Sequence, residues 1–77
     1  ETKIEYQLPK DTQVEISIYN IRGEKVRTLV DESKKAGYHS IIWNGTDHRN
    51  RELSSGVYLY KIKTDGYCAT KKMLLIK

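Results

Sequence analysis

The sequence predicts an all-β fold of two antiparallel sheets packed face to face, and three observations predict it. Apolar residues recur at every second position through most of the chain. Ile, Val, Thr and Tyr are abundant, while Ala, the strongest helix former, occurs only at Ala36 and Ala69. Turn residues break the alternation at short intervals, which yields six strands and leaves room for a seventh short one in the single long loop. At 77 residues the chain holds one domain, residues 1–77, because domains run from roughly 50 to 250 residues.

In the first strand, residues 2–8, Ile4, Tyr6 and Leu8 share one face and Lys3, Glu5 and Gln7 the other, until Pro9 removes a backbone donor. After a turn at Lys10 to Thr12, Val14, Ile16 and Ile18 alternate with Gln13, Glu15 and Ser17 in the cleanest period of two, which marks a central strand. Arg22, Gly23 and Glu24 form a turn, and Lys25 to Val30 resumes as a third strand in a hairpin with the second. Asp31 to Gly37 is polar, ends in glycine and reads as a loop. Tyr38 to Trp43 is the fourth strand, with His39, Ile41 and Trp43 inward, because the indole is the largest apolar surface and must be buried with its N–H bonded. Asn44 to Ser55 is a polar loop with internal turns, interrupted only by Leu53 as an apolar plug. Within and beside it, Gly45, Asn50 and Gly56 read as positions chosen for backbone conformation.

Val57 to Thr64 and Tyr67 to Lys77 close on Asp65 and Gly66, the strongest hairpin signal in the chain. A two-residue turn sets Thr64 opposite Tyr67, and counting outward sets Lys63 opposite Cys68, Lys61 opposite Thr70 and Leu59 opposite Lys72. One face of this hairpin is therefore basic. The other carries Tyr58, Tyr60, Ile62, Ala69, Met73 and Leu75, with Lys71 a misfit that asks for a bulge or a snorkelling stem. The predicted core is Ile4, Tyr6, Val14, Ile16, Ile18, Ile41, Trp43, Tyr58, Tyr60, Ile62 and Met73.

Charge and motif content narrow the function classes. The net charge of +4 permits an acidic partner, but the lysines alternate with apolar residues along strands instead of interleaving with stacking aromatics, so no nucleic acid is expected. Cys68 is the only cysteine, which rules out an intrachain disulfide or a thiolate metal cluster. No apolar run approaches the roughly 20 residues of a transmembrane segment. The chain begins mid-pattern with no signal peptide and reads as a fragment of a longer protein. His39 and His48 lack metal-ligand spacing, Ser54 and Ser55 lack a nucleophile elbow, and Asp47 and Glu52 lack a cleft to flank. No enzyme, cofactor or metal is expected. Asn44, Gly45 and Thr46 match the N-glycosylation acceptor pattern incidentally.

The runs Thr2 to Pro9, Val14 to Gly23 with Val26, Ala36 to His39, Trp43 to Asp47, Ser55 to Tyr60 and Lys72 to Leu74 together resemble the C-terminal sorting domain of type IX secretion cargo. The same block is similar to the Ig-like domain of the flagellar hook-capping protein, which shares the Trp, Gly-Val-Tyr and Lys-Met landmarks. Asn44 stands where the family usually has Asp and Asn50 where it usually has Gly, and both suit tight turns. The resemblance implies an Ig-like or fibronectin-III-like antiparallel β-sandwich of about seven strands. As a sorting domain it would be a non-catalytic address, carrying a protein of a diderm bacterium through the periplasm to the cell surface or medium. Its partners would be outer-membrane translocon components and an upstream cargo domain in the same chain. On that reading Lys61, Lys72, Met73, Leu74, Leu75, Ile76 and Lys77 meet the receptor, and the unpaired last strand supports a weak homodimer. The alternative reading is an Ig-like structural, spacer or adhesive module, including the hook-capping type.

Overall fold

Each alternating stretch becomes a strand in the computed structural model, which describes residues 2–76. The strands are β1 (Thr2–Leu8), β2 (Thr12–Tyr19), β3 (Lys25–Lys34), β4 (Gly37–Trp43), β5 (Gly56–Thr64) and β6 (Tyr67–Leu75). All pairings are antiparallel: β1 with β4 in a two-stranded sheet, and β3-β2-β5-β6 in a four-stranded one. The cleanly alternating β2 is central, as its pattern requires, while β3 and β6 form the edges. Among the described residues the expected seventh strand reduces to one isolated bridge, Thr46 to Glu52, because the loop spends its remaining polar groups on side-chain bonds.

The sheets enclose one core in two clusters. Ile4, Ile18, Trp43, Tyr58 and Leu75 fill one end, and Leu8, Val14, Ile16, Val30 and Ile62 the other. Leu29, Ile41 and Tyr60 pack against both clusters. Every residue expected in the core is there, with Tyr6, Ile41, Tyr60 and Met73 only partly buried, at the periphery of the packing. Trp43 is fully buried and meets Tyr58 edge to face at 5.2 Å between centroids, and its Nε1 donates to the Thr46 carbonyl at 2.9 Å. Tyr6 and His39 stack at 5.3 Å across the β1–β4 pair, so His39 is a partly buried strand residue with Nε2 on the Lys35 carbonyl.

One sequence expectation is corrected in β3. The segment Asp31 to Lys34 is strand, not loop, and only Lys35 and Ala36 separate β3 from β4. Its polarity misleads because an edge strand needs few apolar residues: Asp31 accepts from Gln13, Ser33 donates to Gln13, and Glu32 pairs with Lys34. Register shifts beside Ser17 and Tyr19 leave Leu29 and Val26 as extra residues in β3, and both turn into the core. No such bulge occurs in the last hairpin. Its register runs unbroken from Thr64 with Tyr67 to Gly56 with Leu75, and Lys71 stays in solvent at the sheet edge. The predicted pairs Lys63 with Cys68, Lys61 with Thr70 and Leu59 with Lys72 are all present.

Candidate functional site

The long loop gathers the densest polar chemistry in the molecule, and it is buried at Thr46 and Asp47. Asp47 is 6% exposed. Its Oδ1 accepts from the Arg49 and Arg51 amides at 2.9 and 3.0 Å, and its Oδ2 from Arg51 Nε at 2.9 Å. Desolvation works to raise its pKa, but these bonds and the Arg51 charge outweigh it and hold the carboxyl below its ordinary range. Arg27 reaches across from β3: its Nη1 donates to Thr46 Oγ1 at 2.6 Å, to the Asp47 carbonyl at 3.0 Å and to Asn50 Oδ1 at 3.3 Å. The His48 amide bonds the Val26 carbonyl at 2.9 Å, and Thr46 Oγ1 donates to Asn44 Oδ1 at 2.6 Å. Gly45 (φ 79°) and Asn50 (φ 62°) take the left-handed conformation that the turns require.

This arrangement locks a loop onto β3 and β4. Asp47 and His48, neighbours in sequence, are directed to different partners. Among the described residues no group of three or more His, Cys, Asp or Glu side chains is placed to hold a metal ion. Tyr58 reinforces the same end, its hydroxyl donating at 2.8 Å to the Ser54 carbonyl four residues upstream, the corner bond typical of Ig-like sandwiches. Arg27 escaped the sequence reading because nothing in its local pattern distinguishes it from any other charged edge residue.

The last hairpin offers the outward chemistry. Lys72 is exposed on its outer face, Leu74 is 57% exposed beside it, and Ile76 just beyond the strand is 71% exposed. Lys61 lies half-buried on the same face, opposite Ser17 of β2. Lys72 also borders a shallow groove with Ile21, Val57 and Leu59. Met73 and Leu75 turn to the opposite face, Leu75 being only 1% exposed, so of the expected recognition set these two serve the core. The alternation of a strand cannot present five successive side chains to one receptor. Lys77 lies outside the described residues. Cys68 is exposed opposite Lys63.

The fold and this geometry define an Ig-like sandwich with a rigid loop end and an open sheet edge. The model of the FlgD Ig-like domain matches residues 1–66, and the chain belongs to that family. Among solved structures, that of FlgD from P. aeruginosa matches with a TM-score of 0.75 and 25% identity, over 95% of this chain and 58% of that one. The chain thus spans little more than half of that relative. No curated protein sequence matches it.

Proposed function

We propose that the chain is a non-catalytic structural module of the hook-capping type, a stiff spacer that works outside the cytoplasm of a bacterium. The observation that carries this reading is the family match through residue 66 together with the likeness in shape over nearly the whole chain. The internal use of Thr46, Asp47 and Arg51 in the loop, fastened by Arg27 from β3, supports it, because a spacer needs rigidity. The test is a domain exchange: replacing the Ig-like domain of P. aeruginosa FlgD with this chain should retain hook assembly. A folded, stably expressed chimera that assembles no hooks would count against it.

One observation favours a second reading, that of a sorting signal met by outer-membrane translocon components: the last strand carries Lys72 and Leu74 outward, with Ile76 following. A reporter fused ahead of residue 1 separates the two in a type IX-competent host. Export of the intact fusion, lost with Lys61→Glu and Lys72→Glu, favours sorting. Retention in the periplasm favours the spacer.

A further inference from the structure

We propose that copies of this chain join head to tail, the free edge of β6 in one copy adding to the free edge of β3 in the next. The argument starts from hydrogen-bond phase. A two-residue hairpin closes on a hydrogen-bonded pair, here Thr64 with Tyr67, so bonding to β5 falls on Tyr67, Ala69, Lys71, Met73 and Leu75. The backbone groups of Cys68, Thr70 and Lys72 therefore point away from β5, and no described residue bonds them. The Leu74 carbonyl points the same way and is met by Thr2 Oγ1 at 3.4 Å, which confirms the phase and confines the open edge to residues 68–72.

The same alternation carries through β5 and β2 to the other edge. There Val30, Glu32 and Lys34 bond β2, and Asp31 and Ser33 direct their backbone groups outward. Because the order β3-β2-β5-β6 is antiparallel throughout, extending the sheet by another copy makes β6 antiparallel to the incoming β3, with outer face continuing outer face.

Charge then selects the register. Setting Lys72 opposite Asp31 of the next copy places Lys71 opposite Glu32, Thr70 opposite Ser33 and Ala69 opposite Lys34. All four charged groups of the two acid–base pairs are exposed in the single chain. A shift of two residues one way leaves both lysines facing Val30 and Leu29, and the other way sets Lys71 against Lys34. The symmetric alternatives satisfy the β6 lysines less well: β3 on β3 about Glu32 opposes that carboxylate to itself, and about Ser33 it sets Glu32 and Asp31 against Lys34 and Lys35, which already pair with Glu32 and Asp11 within one copy, while β6 on β6 about Thr70 gathers the lysines with no acid opposite. The interface is thus heterologous, and repetition gives a chain or ring of copies instead of a closed dimer. It replaces the homodimer expected through the last strand with a pairing between two different edges, and it holds under either functional reading.

The test is cross-linking combined with charge reversal. Ser33 and Thr70 lie on opposite edges, about 14 Å apart by strand spacing, too far for a disulfide within one chain. In a Cys68→Ser background, oxidation of a mixture of Ser33→Cys and Thr70→Cys chains should give the mixed dimer, and the chain carrying both should give a ladder of oligomers. In sedimentation velocity the parent should pass beyond dimer as concentration rises and return toward monomer in about 1 M salt, where screening reaches roughly 3 Å. Lys71→Glu with Lys72→Glu, or Asp31→Lys with Glu32→Lys, should each weaken association about tenfold, and combining all four should restore it. A near-ultraviolet Trp43 signal like the parent's shows that each variant is folded. A parent that stays monomeric at millimolar concentration overturns the proposal. So do Thr70→Cys chains or Ser33→Cys chains that cross-link to one another alone, or a fourfold variant as weak as the twofold ones.

Discussion

Arg27→Met tests whether the loop end of the sandwich is clamped by one side chain. Methionine keeps much of the apolar stem and removes the guanidinium, so the loss is that of the polar contacts. Two of them, at 2.6 Å to Thr46 Oγ1 and 3.0 Å to the Asp47 carbonyl, are partly buried and charge-assisted, and the third, at 3.3 Å to Asn50, is exposed and contributes little. Hydrogen bonds to charged groups contribute roughly 1.5–3 kcal/mol each when buried, so partial exposure of Arg27 brings the two together to about 2–3 kcal/mol. A domain of this size has about 4–12 kcal/mol in all. Followed by Trp43 fluorescence in urea, with a slope of about 1 kcal/mol per molar, the midpoint should fall by about 2–3 M. Arg27→Lys should recover only part of this, since its ammonium sits on a shorter stem than Nη1 and is more strongly hydrated. A shift under about 0.5 M for Arg27→Met would refute the clamp and leave the backbone bond from His48 to Val26 as what fastens the loop.

Trp43→Ala should cost about 3–5 kcal/mol by thermal or chemical unfolding, because a fully buried indole leaves both a cavity and an unpaired Thr46 carbonyl; parent-like melting contradicts its place in the core. Asp47 has a folded pKa below its ordinary value of 3.8, so its stabilisation is complete above that value and is lost as pH falls through the folded pKa. Asp47→Asn should therefore lower stability at neutral pH and flatten the acid limb below about pH 4, and a variant with the parent's full acid loss speaks against it. Gly45→Ala forces a side chain onto φ 79° and should cost about 1–2 kcal/mol, a cost that equal denaturation midpoints would disprove.

The strands were legible wherever one face is buried and the other wet, because only then does a period of two appear in the residues. Val14, Ile16 and Ile18 declare β2, and the Asp65 and Gly66 turn fixes the last hairpin to the residue. The second half of β3 was not legible. Asp31, Glu32 and Ser33 sit on an exposed edge where cross-strand polar bonds replace burial, and composition alone cannot separate such a strand from a loop. Nor did alternation reveal Leu29 and Val26 as core residues, since each bulge inserts a residue and resets the phase. Of the expected recognition set, Lys61 with Lys72 to Lys77, the strand residues Lys72 to Leu75 alternate between two faces, which a contiguous run of residues does not reveal.

Each edge of the four-stranded sheet is open over only part of its length, and the proposed head-to-tail pairing uses those parts. At the loop end, Arg27 and the His48 amide cover the first half of the β3 edge, so only the half that holds Asp31 to Lys34 stays open. At the other edge Thr2 covers the last part of β6, so only its basic half stays open. Edge strands are commonly guarded by charge of one sign, which repels any approaching strand. Here Asp31 and Glu32 on one edge and Lys71 and Lys72 on the other stand in matching hydrogen-bond phase, and in the proposed pairing they meet as opposite charges. Lys71 belongs to this pattern: in the single chain it is a charge on the core-facing side of β6 without an acidic partner, and in the extended sheet it stands opposite Glu32.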